Sequence, residues 1–179
     1  MKKPNPLPST GASLKGKSAG PASPAAPPAA RTAAPAISRP RILLVDDDDG
    51  VRHSLGDLLA EEGYVVLPAS DGRQALDLIA TTVVDLVLLD LNMPVKNGWD
   101  TFERLSADHP LVPVAVITAR PNQLFTAISA GVGALLEKPL DMPMLIRTIK
   151  RLLAESAEAR LARLAGRETD FHYSAAQPP

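Results

Sequence analysis

The sequence contains no cysteine, which excludes a disulfide framework, a thiol nucleophile and a thiolate metal site. Its three histidines, His53, His109 and His172, are scattered without ligand spacing and offer little for zinc. Aromatic residues make up only 3% of the 179 positions, so a core must be aliphatic, and the 45% of hydrophobic residues can supply one. No apolar run approaches the roughly 18 residues that a membrane span needs. Met1-Lys2-Lys3 is followed by none of the apolar stretch that marks a secretory signal. The expectation is a cytoplasmic protein of one ordinary domain plus tails, with no membrane span.

Acid is missing from one region only. Residues 1–40 hold six Lys/Arg and no Asp/Glu, whereas the remainder holds 13 Lys/Arg and 20 Asp/Glu, a balance of 13 − 20 = −7. The same 40 residues carry nine of the 18 prolines and ten alanines, with Leu7, Leu14 and Ile37 as the large aliphatics after Met1. Such a segment buries too little apolar area to offset the entropy of ordering, and it reads as a disordered basic tail. Within it, Gly11-x4-Gly16-Lys17-Ser18 matches a nucleotide-binding loop, but that motif needs a buried strand before it and a helix after it. Pro- and Ala-rich chain flanks it instead, so nucleotide binding is not expected there.

From Arg41 onward, short aliphatic runs alternate with segments of helical period. The runs are Ile42–Val45, Tyr64–Leu67, Leu86–Leu89, Val112–Ile117 and Ala134–Glu137. Four of them are nearly continuous Val, Leu and Ile, the signature of strands buried on both faces of a parallel sheet. The first amphipathic stretch has Val51, Leu55, Leu58 and Leu59 on one face and stops at Gly63. The second has Ala75, Leu76 and Ile79, with Ser70 or Asp71 as its N-cap. The third has Trp99, Phe102 and Leu105, and the fourth Leu124, Phe125 and Ile128 before Gly131. The last starts at Asp141 and runs through Leu145, Ile146, Ile149, Leu152 and Leu153, with its pattern extending towards Leu164. Five strand–helix units predict an α/β fold, (βα)5, with a doubly wound parallel five-stranded sheet. Residues 41–154 form this domain, and 155–179 a helical extension with a frayed end.

In open parallel sheets, ligands bind beyond the carboxyl ends of the strands. Asp46-Asp47-Asp48-Asp49 follows the first strand, Asp90 the third, Thr118-Ala119 the fourth and Lys138-Pro139 the fifth. Carboxylates packed together repel one another unless a cation intervenes, and hard oxygen ligands suit Mg²⁺. A divalent ion and a lysine neutralise enough charge for a phosphoryl donor to approach an anionic aspartate. An acidic run is ordinarily a solvated face, and Asp48 and Asp49 are read so. Val45 closes the strand and favours Asp46 and Asp47 as the metal pair, with Asp47 and Asp48 as the alternative register.

The ordered set Asp46-Asp47, Asp90-x-x-Met93-Pro94-x-x-x-Gly98, Thr118-Ala119 and Lys138-Pro139 resembles the receiver domain of bacterial two-component response regulators, over about Arg41 to Ala154. The resemblance implies a flavodoxin-like strand order 2-1-3-4-5. It implies that Asp90 is the phosphoacceptor and that Asp46, Asp47, Asp90 and the backbone carbonyl of Asn92 hold Mg²⁺. It further implies that Thr118, Ala119 and Lys138 bind the phosphoryl group and switch the domain. Met93, Pro94 and Gly98 shape the loop, and Lys138–Pro139 is a cis bond. The implied donor is a phosphohistidine on a sensor histidine kinase or phosphotransfer protein. The implied output is a protein contact on the face made by the fourth helix, fifth strand and fifth helix. The chain departs from the family at Leu135, where an aromatic switch residue usually stands.

The expected protein is a stand-alone receiver without a DNA-binding domain, not an enzyme beyond its own phosphorylation and dephosphorylation. The final helix leaves a homodimer open. Two alternatives remain at this point. One is a haloacid-dehalogenase-like Mg²⁺ phosphatase, whose D-x-D-G-[TV] pattern fits Asp47-Asp48-Asp49-Gly50-Val51. The other is a receiver-like interaction module with an impaired switch.

Overall fold

The computed structural model describes residues 39–93, 98–120, 122–167 and 171–175. The basic Pro/Ala-rich segment through residue 38, with its nucleotide-loop lookalike, and Pro94 lie outside these residues.

Strands and helices alternate in the anticipated order: β1 (Arg41–Val45), α1 (Asp49–Glu61), β2 (Val65–Ala69), α2 (Gly72–Thr81), β3 (Leu86–Asp90), α3 (Gly98–Asp108), β4 (Val114–Thr118), α4 (Leu124–Ala130), β5 (Ala134–Glu137) and α5 (Met142–Ala154). Two further elements follow, α6 (Ala157–Leu164) and β6 (His172–Ser174). All neighbouring strands pair in parallel, in the order β2-β1-β3-β4-β5-β6. The five core strands follow the expected topology. The expectation of a five-stranded sheet and a frayed end is corrected, because His172, Tyr173 and Ser174 pair with Ala134, Leu135 and Leu136. The main-chain groups of the β5 edge, which would otherwise meet only water, accept this short strand.

Successive strand side chains point to opposite faces, which splits the core in two. Leu43, Val45, Val87, Leu89, Val116 and Leu135 pack on one face with Ala75, Ile79, Phe102, Leu105 and Ala127 of α2, α3 and α4. Ile42, Leu44, Leu86, Leu88, Ile117 and Leu136 pack on the other with Leu55 and Leu59 of α1 and Leu145, Ile149 and Leu152 of α5. Each Val, Leu, Ile or Phe side chain so removed from water contributes roughly 1.5–3 kcal/mol. Double-sided burial explains why these strands read as continuous aliphatic runs rather than alternating ones.

Helix starts follow the chemistry of orphan N–H groups. Asp71, rather than Ser70, caps α2 by accepting from the N–H groups of Arg73 and Gln74, and these bonds hold its carboxyl below the usual range. Asp141 caps α5 through Met144 N–H. Gly131 ends α4 at φ +74°, a left-handed conformation that favours glycine. The helical pattern running on from Leu153 breaks into two helices, because Glu155 turns extended and Ser156 caps α6.

The apolar spacing of α4 is misleading. Ala127 is the buried residue, while Phe125 is 82% and Ile128 48% exposed. The seven-residue α4 meets the core through Ala127, with Leu124 and Ala130 partly buried beside it, and leaves Phe125 and Ile128 on its outer side. Trp99 Nε1 donates to Gln123 Oε1 at 3.1 Å, linking the first turn of α3 to the residue preceding α4.

Candidate functional site

Parallel strands deliver their carboxyl ends to one edge, and the chemistry collects there. Among the described residues, Asp46, Asp47 and Asp90 each offer an oxygen, all within 4.8 Å of one another. Asp46 and Asp90 are 3% exposed, whereas Asp47 faces solvent. Asp48, the alternative metal ligand, instead accepts from Val51 N–H as the N-cap of α1. Asp49 lies in the first turn of α1, exposed and paired with Arg52 at 2.7 Å. The phosphatase-like pattern therefore does not bring Asp49 into the cluster.

Lys138 closes the site from β5. Its Nζ donates to Asp90 Oδ2 at 2.7 Å and to Asp46 Oδ2 at 2.9 Å. The bond between Lys138 and Pro139 is cis. Lys138 N–H donates to the Thr118 carbonyl at 2.8 Å, so the fourth and fifth strand ends are tied together. The loop after β3 is fixed by Asn92 N–H, which donates to Asp90 Oδ1 at 2.8 Å. Buried Thr118 donates its hydroxyl to Asn92 Oδ1 at 3.4 Å and accepts from Arg120 N–H at 2.9 Å. Ala119 is exposed beside it, and Met93 is buried. Gly98 has no room for a side chain: a Cβ there would lie 2.6 Å from Leu91 Cα and 2.8 Å from the Asp90 carbonyl oxygen. Leu135 is fully buried in β5.

One residue and one further role of Asp46 escaped the sequence reading. Arg52 Nη1 donates to the Asp46 carbonyl at 2.6 Å, while its Nη2 holds Asp49. The signal was the Asp49–Arg52 spacing of three on a helix face. The Asp46 carboxylate also folds its own loop, accepting from Asp48 N–H at 2.9 Å.

The electrostatics follow from burial. Desolvation raises the pKa of Asp90, and the hydrogen bonds from Lys138 and Asn92 only partly offset it. Desolvation lowers that of Lys138, but its bonds to Asp90 and Asp46 outweigh this and the net shift is upward. Three carboxylates thus meet one ammonium, which bonds two of them, and when all are ionised the balance is 3 − 1 = 2 negative charges at a site of oxygen donors. That deficit and that donor set fit a divalent hard cation such as Mg²⁺.

Residues 42–150 match the response regulator receiver domain family. Over 118 residues the chain is 42% identical to the transcriptional regulatory protein CpxR of Escherichia coli K12, covering 65% of this chain and 50% of that protein. Over 115 residues it is 40% identical to the response regulator MprA of Mycolicibacterium vanbaalenii, covering 63% and 50%. The chain therefore spans about half the length of the curated relatives it matches. Among solved structures, it resembles a CheY-like receiver domain protein of Methanospirillum hungatei at TM-score 0.61 and 30% identity, covering 65% of this chain and 94% of that one. It also resembles the response regulator TrrA of Thermotoga maritima in complex with Mg²⁺-BeF, at TM-score 0.60 and 28% identity, covering 63% and 98%.

Proposed function

The chain belongs to the response regulator receiver domain family, and from that membership we propose that it takes a phosphoryl group onto Asp90 from a phosphohistidine of a sensor kinase or phosphotransfer protein. The observation that carries this reading is Lys138 bridging Asp90 and Asp46, with Asp47 in reach at the mouth. Residues 41–154 constitute the receiver and 155–179 its extension; the basic segment 1–40 precedes it.

In the transfer, an Asp90 carboxylate oxygen attacks phosphorus, the phosphorus–nitrogen bond breaks, and the histidine nitrogen keeps the electron pair. Lys138 holds the attacking carboxylate and offsets charge on the incoming phosphoryl oxygens. Asn92 N–H fixes the orientation of the Asp90 carboxylate from the opposite side, on Oδ1. Thr118 offers its hydroxyl to the phosphoryl group once formed, exchanging its long contact with Asn92. Asp46, Asp47, Asp90 and the carbonyl of Asn92 would hold Mg²⁺, which when bound supplies charge compensation for the phosphoryl oxygens.

Output is a protein contact on the face of α4, β5 and α5. The exposed Phe125 and Ile128 on α4 support that assignment by giving a partner apolar area to cover. Leu135 makes the switch depend on Thr118 and Lys138 without an aromatic partner on β5. No described helix is long and apolar enough to cross a membrane.

The test is incubation with acetyl phosphate and Mg²⁺ followed by intact mass. One added phosphoryl group is expected, absent in Asp90→Asn and suppressed by EDTA. Uptake that persists in Asp90→Asn overturns the assignment, and sustained hydrolysis of p-nitrophenyl phosphate would favour the phosphatase alternative.

A further inference from the structure

The segment beyond α5 is held in two unequal halves. Its first half is anchored: Glu155 accepts from Arg160 Nε at 3.2 Å and from Arg163 Nη2 at 2.7 Å, and Arg163 Nη1 donates to the Gly131 carbonyl. Arg160 and Arg163 are 8% and 5% exposed. Its second half is a short edge strand, preceded by Phe171, which packs against the core. β6 has three residues, its central Tyr173 is 39% exposed, and among the described residues it pairs with β5 alone. Beyond the strand ladder, Tyr173 donates its hydroxyl to Glu137 Oε1 at 3.0 Å, and His172 Nε2 lies 3.2 Å from Met144 Sδ. A strand so short, at an edge and half-wet, lies at the low-stability end of a fold.

Its attachment point is close to the reactive centre. Glu137, which holds Tyr173, precedes Lys138, which holds Asp90 and Asp46. Glu137 is also the register partner of Thr118 on β4. Two adjacent residues at the end of β5 therefore hold the outer strand and the carboxylate cluster respectively. One planar peptide joins Lys138 to Glu137, so a backbone shift at either residue moves the peptide they share.

We propose that β6 is a releasable cover on the β5 edge, loosened through Lys138 and Glu137 when Asp90 gains a phosphoryl group. This rests on Asp90 being the phosphoacceptor. The added charge draws Lys138 from its two-carboxylate position, and the shift at Glu137 weakens its bond to Tyr173. The arginine anchor keeps α6 in place, so the freed strand stays tethered and rebinds when the phosphoryl group is lost. An uncovered β5 leaves its outer N–H and C=O groups unpaired. Coupling of this kind is reciprocal, so a weakened cover favours the phosphorylated state.

Hydrogen exchange on the full chain tests this, with intact mass read on the same samples before and after acetyl phosphate and Mg²⁺. The amides of 172–174 are expected to exchange about fivefold faster after phosphorylation, a modest coupling between sites, while those of 157–164 stay unchanged. Tyr173→Phe keeps the ring and removes the bond to Glu137; its amides at 172–174 should exchange faster already before treatment. A gain in mass with unchanged exchange at 172–174 overturns the cover and leaves the phosphoacceptor reading standing. No gain in mass overturns both. Exchange in Tyr173→Phe equal to that of the unsubstituted chain before treatment overturns the part given to the hydroxyl.

Discussion

Lys138 and Asp90, 48 residues apart and at the ends of two strands that do not pair, meet at 2.7 Å. The contact crosses the end of β4, and it places one cation against two buried carboxylates. Its consequence is a site whose charge is under-compensated in the absence of a divalent ion.

Asp90→Asn should therefore stabilise the chain in EDTA at pH 7. The raised pKa of Asp90 comes first from desolvation, so between the unfolded value of about 3.9 and the higher folded value the unfolded chain binds fewer protons. Stability contributed by the protonated group is lost as pH rises through that window. Thermal melts should show a gain for Asp90→Asn at neutral pH that vanishes near pH 3.

Mg²⁺ at about 100 times its dissociation constant should stabilise the unsubstituted chain by about 2.7 kcal/mol. Asp47→Asn should lose most of this gain while melting like the unsubstituted chain in EDTA, since Asp47 is exposed. A thermal-shift titration reads both. An undiminished gain in Asp47→Asn would remove that residue from the ligand set.

Gly98→Ala should cost about 1–3 kcal/mol, the usual range for overpacking. The added carbon meets main-chain atoms of Leu91 and Asp90 rather than a yielding side chain. Denaturant melts measure the cost. Phosphoryl uptake should slow in parallel, because relief of the clash shifts Asp90.

Glu155→Ala should cost about 3–5 kcal/mol by leaving two buried guanidinium groups without their carboxylate. Urea unfolding is the direct measure. A change within about 0.5 kcal/mol, the level of a surface substitution, would mean that α6 is held by packing alone.

The strands and the site edge were legible for one reason. Residues such as Leu86–Leu89 are buried on both faces, so their aliphatic continuity survives into the sequence, and an aspartate interrupting it marks the strand end. The carboxylates, hydroxyl and lysine then followed from where parallel strands stop. What escaped depended on partners remote in sequence. Nothing in the local pattern marks Arg160 and Arg163 for burial, which comes from Glu155 before α6 and, for Arg163, from the Gly131 carbonyl 32 residues away. His172-Tyr173-Ser174 has no aliphatic run, and its strand state comes from the open edge of β5. Phe125 and Ile128 looked like core because spacing reports a face without saying which way it turns.

Trp99 is the sole tryptophan of the chain, and its indole is pinned to Gln123 at the threshold of α4. The ring of Phe102 stands edge-on to it, with centroids 5.8 Å apart. The molecule thus carries its own optical reporter: a single indole, excitable apart from the two tyrosines, whose bond to Gln123 ties its surroundings to the junction of α3 and α4 with no dye attached.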